Sequence, residues 1–256
     1  MTISIIIPFY NSAAWLPRCL NSLITQTGDF EFIFVNDHSD DEGRYIIHDY
    51  KRIDNRIRLV DNTHTTGVSG ARNTGIALAQ SNYITFLDAD DELLPDAYKT
   101  FTSALNVDAN IYQFNHLRYY TRIDKLVLKY TNEGGFYELP NLPVHWFGVW
   151  NKLFKAEFIQ RNDIRFDESL QYGEDGLFIL DCLRNDGRIY HAPKSKTTVK
   201  HRFDNPNSLS KLKTLPDIMQ HVRRYEELLL TDSDPKLKRA ICKELAQLWT
   251  ELGKGF

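Results

Sequence analysis

The chain has 256 residues, of which 42% are hydrophobic and 25% are charged, and it carries a net charge of −3. This composition indicates a globular protein, large enough for one α/β domain with an appendage, and it excludes a chain that is disordered throughout. No segment approaches the roughly 18 uninterrupted apolar residues of a membrane span, and the N-terminal residues lack the basic segment of a signal peptide.

Four short apolar runs in the N-terminal part of the chain predict the strands of a sheet. The runs are ISIIIPFY, FEFIFVND, RIRLVDN and NYITFLDAD, and each ends in polar residues. The segments between them have apolar residues at helical spacing, and the first helix is predicted to start near Ser12 as its N-cap. This alternation is typical of βαβ units, and it predicts an α/β fold with a mostly parallel sheet flanked by helices.

The polar residues at the ends of the four runs are the first candidates for a binding site. They are Pro8-Phe9-Tyr10-Asn11, Asn36-Asp37-His38-Ser39, Asp61-Asn62 and Asp88-Ala89-Asp90-Asp91. Because the carboxyl ends of parallel strands meet at one edge of a sheet, we expect these four clusters to line one crevice.

The second half of the chain has a different pattern. After Asp108, the segment ANIYQFNHLRYYTRIDKLVLKYTN is rich in aromatic and β-branched residues and predicts two strands in antiparallel register. VWNKLFKAEFIQRN predicts a strand end or turn that leads into a helix, and EDGLFILDCLRN predicts another helix. From Leu215 onward the pattern is wholly helical, with two apolar stripes. The triplet Asp232-Ser233-Asp234, which precedes a proline, is interpreted as a helix cap.

Three carboxylates follow the fourth apolar run, at Asp88, Asp90 and Asp91. Like charges this close repel one another unless a cation neutralises them, and Mg²⁺ is usually held by one or two carboxylates together with substrate phosphates. The alternative is that Asp91 and Glu92 cap the helix expected near Pro95. Position alone leaves both interpretations open.

Several segments together resemble the family 2 inverting glycosyltransferases with the GT-A type fold. They are SIIIPFYN, FEFIFVNDHSDD, TGVSGARNTGIALAQSNYITFLDADDELLPDAY, GVWNKLFKAEFIQRNDIRFDE and YGEDGLFILDCL, and they extend from Ser4 to Leu183. The resemblance implies a GT-A catalytic domain over residues 1–212, with a mostly parallel nucleotide-binding sheet flanked by helices. Residues 1–107 would bind the nucleotide sugar, residues 108–212 the acceptor, and residues 213–256 would form a helical C-terminal extension.

The resemblance implies that residues from several segments of the chain bind the donor. Asp37 would accept hydrogen bonds from uracil, although this chain has Asn36-Asp37-His38-Ser39 where the family usually has Asp-Asp-Gly-Ser. Arg72 would lie near the diphosphate, and it could also hold Asp88 in place. The implied donor-binding residues are Pro8, Tyr10, Asn11, Asp37, Arg72, Asn73, Asp88, Arg202 and Ser208.

The resemblance also implies a metal site and a general base. Asp90, in the DxD motif, and His201 would bind Mn²⁺ or Mg²⁺. Asp175, at the start of a predicted helix, would be the general base that takes the acceptor proton, although acidic residues in this position also cap helices. Glu174 and Trp150 would lie on the acceptor side, with core packing as the alternative for Trp150.

The function implied by these residues is transfer of a hexose or N-acetylhexosamine from a nucleotide sugar, in particular a UDP sugar, to a hydroxyl of a glycan or lipid-linked saccharide. This chemistry would serve bacterial cell-surface polysaccharide or lipopolysaccharide synthesis. A nucleotidyltransferase is an alternative, but PFYNSAAWLPR lacks the glycine-rich phosphate loop of such enzymes. A non-catalytic carbohydrate-binding protein is another. The small basic excess of the C-terminal part gives little support for a nucleic-acid partner.

Cellular location and assembly are predicted from simpler features. Three widely spaced cysteines, Cys19, Cys182 and Cys242, argue against a disulfide framework and for a reducing cytoplasm. The C-terminal apolar stripes are expected to pack on the catalytic domain, ahead of homo-oligomer formation and of contact with the inner face of the cell membrane. The ending ELGKGF is also compatible with a piece of a longer protein.

Overall fold

The structure, a computed structural model, describes residues 1–120, 123–129, 134–137, 148–193, 196–202 and 214–253. The strands in these ranges are β1 (Ile3–Phe9), β2 (Phe30–Asn36), β3 (Ile57–Asp61), β4 (Tyr83–Phe86), β5 (Glu92–Leu93), β6 (Ile111–Gln113), β7 (Asn115–Tyr120), β8 (Lys125–Lys129), β9 (Gly135–Tyr137), β10 (Lys152–Lys155), β11 (Ile189–His191) and β12 (Thr197–Arg202). The helices are α1 (Leu16–Ile24), α2 (Gly43–Lys51), α3 (Val68–Leu78), α4 (Ala97–Thr102), α5 (Ala156–Arg161), α6 (Glu174–Arg184), α7 (Leu215–Thr231) and α8 (Pro235–Gly253).

A large mixed sheet forms the centre of the fold, with the strand order β3-β2-β1-β4-β10-β6-β11-β9. β3, β2, β1 and β4 run parallel to one another, which confirms the predicted βαβ arrangement. β10 is antiparallel to both β4 and β6, so it joins the two halves of the chain. The predicted nucleotide-sugar part, 1–107, and acceptor part, 108–212, therefore share one sheet.

A smaller sheet, in the order β5-β12-β7-β8, lies beyond the carboxyl end of β4. β7 and β8 are antiparallel, as the aromatic segment after Asp108 predicts. β5 pairs with β12, with Leu93 opposite Val199 and Glu92 opposite Lys200. This pairing matters for the site because it brings the loop after β4 next to the end of β12.

The core has one apolar cluster on each face of the large sheet. Ile3, Ile5 and Ile7 of β1 pack on one face with Leu16 and Leu20 of α1. The alternating β1 residue Ile6 points to the other face, where Ala71 and Ile76 of α3 and Phe178 of α6 cover it. Both faces of β1 are thus buried, which explains its near-continuous apolar run.

The two C-terminal helices pack against α6. Ile218 and Val222 of α7 and Ile241 of α8 belong to one buried cluster with Leu177 and Leu180 of α6. The predicted packing of the apolar stripes is therefore confirmed, while the predicted boundary between residues 212 and 213 lies outside the described residues. Among the residues that the structure describes, no helix combines the length and the apolar character needed to cross a membrane.

Three local predictions have clear outcomes. The three cysteines are free, as predicted. Asp234 caps α8, because its Oδ1 accepts the N–H of Lys236 at 2.8 Å. The predicted N-cap at Ser12 is wrong: α1 begins at Leu16, and the Ser12 hydroxyl donates to the Tyr10 carbonyl at 3.0 Å.

Candidate active site

Asp37 lies among the adjacent carboxyl ends of β1 to β4, where the sequence predicts a crevice. Its side chain is buried, and its carboxylate oxygens accept hydrogen bonds from Asn62 Nδ2 at 2.7 Å and from the Gly67 N–H at 2.8 Å. These bonds tie the loop after β2 to the loop that precedes α3. Each carboxylate oxygen has a second lone pair, so the predicted contact with uracil is compatible with this position and stays a prediction.

The turn after β1 carries three further predicted donor residues. Pro8 is buried within β1, whereas Tyr10 is 57% exposed. Asn11 Oδ1 accepts the Asp40 N–H at 2.8 Å, and the Asn11 N–H donates to Ser39 Oγ at 3.1 Å. Asn11 therefore holds the loops after β1 and β2 together, and the exposed Tyr10 ring is available to a nucleoside.

Arg72 of α3 bonds to carboxylates from both the N-terminal and the C-terminal half of the chain. Its Nη2 donates to Asp88 Oδ1 at 3.2 Å. Its Nη1 donates to Glu174 Oε1 at 2.9 Å and to Asp175 Oδ1 at 2.7 Å. The guanidinium carbon lies 5.1 Å from the centre of the Phe166 ring, and the side chain is only 4% exposed. Arg72 therefore holds Asp88 in place, one of its two predicted roles, and links Asp88 to Asp175.

Asp175 has the environment of a general base. It lies in the first turn of α6, its side chain is 20% exposed, and its Oδ2 accepts the Val149 N–H at 3.3 Å. Burial raises the pKa of Asp175 to about 7; Arg72 opposes this rise, and the neighbouring Glu174 and Asp88 carboxylates add to it. A carboxylate with a pKa near neutrality is well suited to take a proton in a transition state. Both oxygens bond to groups outside α6, while its place in the first turn also lets its charge stabilise the N-terminus of α6, so its role as the base stays a prediction.

The interpretation of Asp91 and Glu92 as helix caps is wrong. α4 begins at Ala97, and Glu92 instead begins β5. The Asp91 carboxylate is fully buried, accepts the Arg202 N–H at 2.8 Å and bonds to His201 Nδ1 at 2.9 Å. The physical reason is the pairing of β5 with β12, which places the Asp91 side chain against β12 before the chain reaches α4.

His201 lies between Asp91 and Trp150. Its imidazole stacks on the Trp150 indole with ring centres 4.5 Å apart and an angle of 9° between the ring planes. Burial disfavours the charged imidazole, but the Asp91 carboxylate raises the pKa of His201 above its ordinary value. With Nδ1 bonded to Asp91, Nε2 is the ring nitrogen left for another ligand, the usual arrangement of metal-binding histidines. One face of Trp150 is covered by His201, so an acceptor sugar would have to contact the rest of the indole.

The predicted metal ligands Asp90 and His201 are close enough to interact electrostatically. The Asp88 and Asp90 carboxylates both act on the His201 imidazole and help to raise its pKa. Within the described ranges, no group of three or more His, Cys, Asp or Glu side chains converges as a metal site. A divalent cation bound with a diphosphate nevertheless needs few protein ligands, because phosphate oxygens and water complete its coordination. An aspartate and a carboxylate-supported histidine fit such an ion.

Asn73 and Glu168 form a support for the donor-side loop. Asn73 Nδ2 donates to the Phe166 carbonyl at 3.0 Å and to Glu168 Oε1 at 2.8 Å, and its Oδ1 accepts the Phe166 N–H at 2.9 Å. Glu168 Oε2 also accepts the Thr65 N–H at 3.0 Å. A direct contact of Asn73 with the donor stays a prediction. Glu168 is a site residue that the sequence analysis does not identify; the signal that could have found it is its place at the end of the segment GVWNKLFKAEFIQRNDIRFDE.

The last predicted donor residues lie at and beyond the end of β12. Arg202 is 8% exposed, and its guanidinium carbon lies 4.6 Å from the centre of the Trp15 ring. Its contact with a diphosphate stays a prediction. Ser208 lies outside the described residues.

Comparisons with known proteins agree with the geometry. The family described as Glycosyl transferase family 2 matches residues 4–161, more than half of the chain. The uncharacterized glycosyltransferase EpsJ of Bacillus subtilis is 29% identical over 94% of this chain and 72% of EpsJ. The Staphylococcus aureus poly(ribitol-phosphate) beta-N-acetylglucosaminyltransferase TarP is 30% identical over 72% of this chain and 58% of TarP. Glycosyltransferase GlyA of Streptococcus pneumoniae is 32% identical over 68% of this chain but only 27% of GlyA. The share of a relative's own length that this chain covers therefore differs widely, from 72% of EpsJ to 27% of GlyA.

The fold comparison gives the same answer. The crystal structure of S. aureus TarS in complex with UDP-GlcNAc matches with a TM-score of 0.80 and 21% identity, and the match covers 100% of this chain and 73% of that one. This likeness confirms the GT-A type sheet with its helical C-terminal extension. The chain belongs to glycosyl transferase family 2, and it is a glycosyltransferase with the GT-A type fold, as its motifs predict.

Proposed function

We propose that this chain is a metal-dependent inverting glycosyltransferase that moves a hexose or N-acetylhexosamine from a UDP-linked donor to a hydroxyl of a bacterial cell-surface glycan. The observation that carries the proposal is the position of Asp175: a carboxylate with a pKa of about 7 shares the Arg72 guanidinium with Asp88 at the donor edge of the sheet. The UDP-GlcNAc complex of TarS supports a UDP sugar as donor, and TarP, a beta-N-acetylglucosaminyltransferase, supports an N-acetylhexosamine as the transferred sugar.

The chemistry follows from where the carboxylates lie. Asp37 and Tyr10 bind the nucleoside, and Asp88 holds the ribose or the donor sugar. Asp175 takes the proton of the acceptor hydroxyl while that oxygen forms a bond to the anomeric carbon. The bond from the anomeric carbon to the UDP oxygen breaks on the opposite side, so the anomeric configuration inverts. Arg72 keeps Asp175 oriented throughout and balances part of the local negative charge.

Mn²⁺ or Mg²⁺ would be held by Asp90 and His201 in this proposal. The ion supplies neutralisation of the charge that develops on the departing diphosphate. Asp91 orients the His201 imidazole through Nδ1, and Arg202 lies next to it on β12. Ser208 is proposed to contribute to donor binding as well.

The acceptor is proposed to bind on the side of Glu174 and Trp150. Glu174 is 13% exposed and shares Arg72 with the base, so its carboxylate can also support the loop that carries Asp175. A glycan or a lipid-linked saccharide would supply the hydroxyl. The reaction is proposed to take place in the cytoplasm, and lipid-linked acceptors would be met at the inner face of the cell membrane. The exposed sides of α7 and α8 are candidate surfaces for self-association.

The test is a panel of nucleotide sugars, including UDP-glucose, UDP-galactose and their N-acetylated forms, measured for Mn²⁺-dependent binding and UDP release. The proposal predicts binding and release with at least one UDP sugar, and loss of Mn²⁺-dependent binding in Asp90→Ala. Asp234→Ala is the matched control, because Asp234 belongs to the second Asp-x-Asp triplet and caps α8.

The alternatives give different results in the same experiment. Binding of nucleotide sugars without UDP release, even with candidate acceptors, would identify a carbohydrate-binding protein. Release of pyrophosphate from UTP and a sugar phosphate would identify a nucleotidyltransferase. Retained Mn²⁺-dependent binding in Asp90→Ala would refute the metal assignment.

A further inference from the structure

A buried lysine lies close to the active site and takes no part in the mechanism above. Lys152, the first residue of β10, is 1% exposed. Its Nζ donates to the Gly148 carbonyl at 2.5 Å and to Asn151 Oδ1 at 3.2 Å, and its backbone N–H donates to the Val149 carbonyl at 3.1 Å. Burying an ammonium group is costly, and burial lowers the pKa of Lys152 to about 7. The hydrogen bonds to one short segment offset part of this cost.

That segment, residues 148–151, is hereafter called the 148–151 turn, and it contacts both the proposed base and a proposed metal ligand. The Val149 N–H donates to Oδ2 of Asp175, the proposed base, at 3.3 Å. The Trp150 indole stacks on His201, the proposed metal ligand, at 4.5 Å. A displacement of this turn would therefore move the N–H donor to Asp175 and the ring that stacks on His201.

The main chain of Lys152 is fixed independently of its side chain. Its carbonyl accepts a hydrogen bond from Thr85 Oγ1 at 2.6 Å, on β4, the strand that leads to Asp88. The side chain then reaches back from this fixed point to the Gly148 carbonyl. The Asp175 carboxylate favours the charged form of Lys152, so the ammonium group and the ionised base support each other electrostatically.

We infer that Lys152 is a positioning residue for glycosyl transfer: the hydrogen bonds of its amino group fix the 148–151 turn and thereby set Asp175 and His201 relative to each other. The inference rests on the proposed function, because it needs Asp175 as the base. It adds a residue that touches neither donor nor acceptor. Lys152 acts through the hydrogen bonds that its amino group donates, in either protonation state, and through its charge when it is protonated. These two contributions can be separated by substitution.

The test compares Lys152→Met, which keeps the length of the side chain, with Lys152→Gln, which keeps a hydrogen-bond donor but removes the charge. Lys155→Met is the matched control on the same strand, because its ammonium group pairs with the exposed Asp108 at 3.1 Å. For each protein, the melting temperature, the affinity for UDP and the pH dependence of kcat are measured with the best donor.

We expect kcat of Lys152→Met to fall by about 10- to 100-fold, as is typical when the support of an active-site group is removed. The midpoint of its pH profile should move upward, because Asp175 loses a nearby cation and a fixed N–H donor. Lys152→Gln should shift the midpoint in the same direction and lose less kcat. Lys155→Met should match the wild type.

Two results would overturn the inference. The first is a Lys152→Met protein with wild-type kcat and pH midpoint, or one that loses only thermal stability. The second is failure of both variants at Lys152 to fold, because Lys152 would then serve stability alone. A wild-type protein that releases no UDP from any donor would instead contradict the proposed function, so the two failures are distinguishable.

Discussion

Removal of the Arg72 guanidinium is the perturbation that the structure defines most sharply. In Arg72→Met, three carboxylates, at 3.2, 2.9 and 2.7 Å from its nitrogens, lose a buried partner. Removing one member of a buried ion pair costs about 3–5 kcal/mol of unfolding free energy, because the charges left behind are uncompensated. We expect a loss of this size at about pH 8, where Asp175 is ionised.

The same substitution makes a prediction about pH. The pKa of Asp175 is about 7 in the folded protein, well above that of an unfolded aspartate, so the folded state holds this proton more tightly. The contribution of Asp175 to stability is therefore present at low pH and is lost as the pH rises through its folded pKa. Without Arg72 the pKa of Asp175 rises further, and each pKa unit corresponds to about 1.4 kcal/mol of unfolding free energy. At about pH 5.5 Asp175 is protonated, so the variant should recover part of its stability there.

Urea unfolding of the wild type and Arg72→Met at the two pH values measures this difference. The control is Arg224→Met, since Arg224 also bonds to two carboxylates but is 44% exposed. Exposed pairs contribute about 0–1 kcal/mol, so the control should lose little at either pH. An equal loss for Arg72→Met at both pH values would refute the coupling of Arg72 to Asp175.

Three further predictions concern the base, the start of α6 and the metal site. The kcat for sugar transfer should rise with pH through about 7 and level off above it, because Asp175 must be ionised; a flat profile between about pH 5.5 and 8.5 would contradict its role as the base. Gly173→Ala should lower the unfolding free energy by about 1–3 kcal/mol or more, because Gly173 has a φ of 82° and a methyl group there would overlap the His221 ring. Thermal unfolding measures this loss, and adding His221→Ala should restore part of it. Asp91→Asn should weaken Mn²⁺ binding by about 10- to 100-fold in calorimetry, and unchanged affinity would show that Asp91 does not orient His201.

The fold could be predicted because its signals are local. The run ISIIIPFY is apolar at the positions that β1 buries on its two faces, except for Ser4. The run that forms β2 is likewise apolar at its buried positions, except for Asn36 at its end. The polar residues at the ends of these strands had to share an edge once the strands were parallel, and Asp37 lies there as expected. Motif resemblance added Asp175 as the proposed general base, and burial raises its pKa to about 7.

Other features could not be predicted because they depend on contacts between distant parts of the chain. Asp91 is 110 residues from His201, and only the pairing of β5 with β12 shows that it supports the imidazole. Arg72 is 103 residues from Asp175, so its bond to the base is invisible in either segment alone. Lys152 was visible only as part of a motif, since no local pattern indicates that its ammonium group is buried.

The central claim is that Asp175 is the general base of a UDP-sugar-dependent transfer. The most direct test is to measure UDP affinity and kcat for Asp175→Asn beside the wild type, since asparagine keeps the shape of the side chain but takes up no proton. We predict unchanged UDP affinity and a fall in kcat of about 10²- to 10⁴-fold. Wild-type kcat in Asp175→Asn, with UDP affinity intact, would contradict the account.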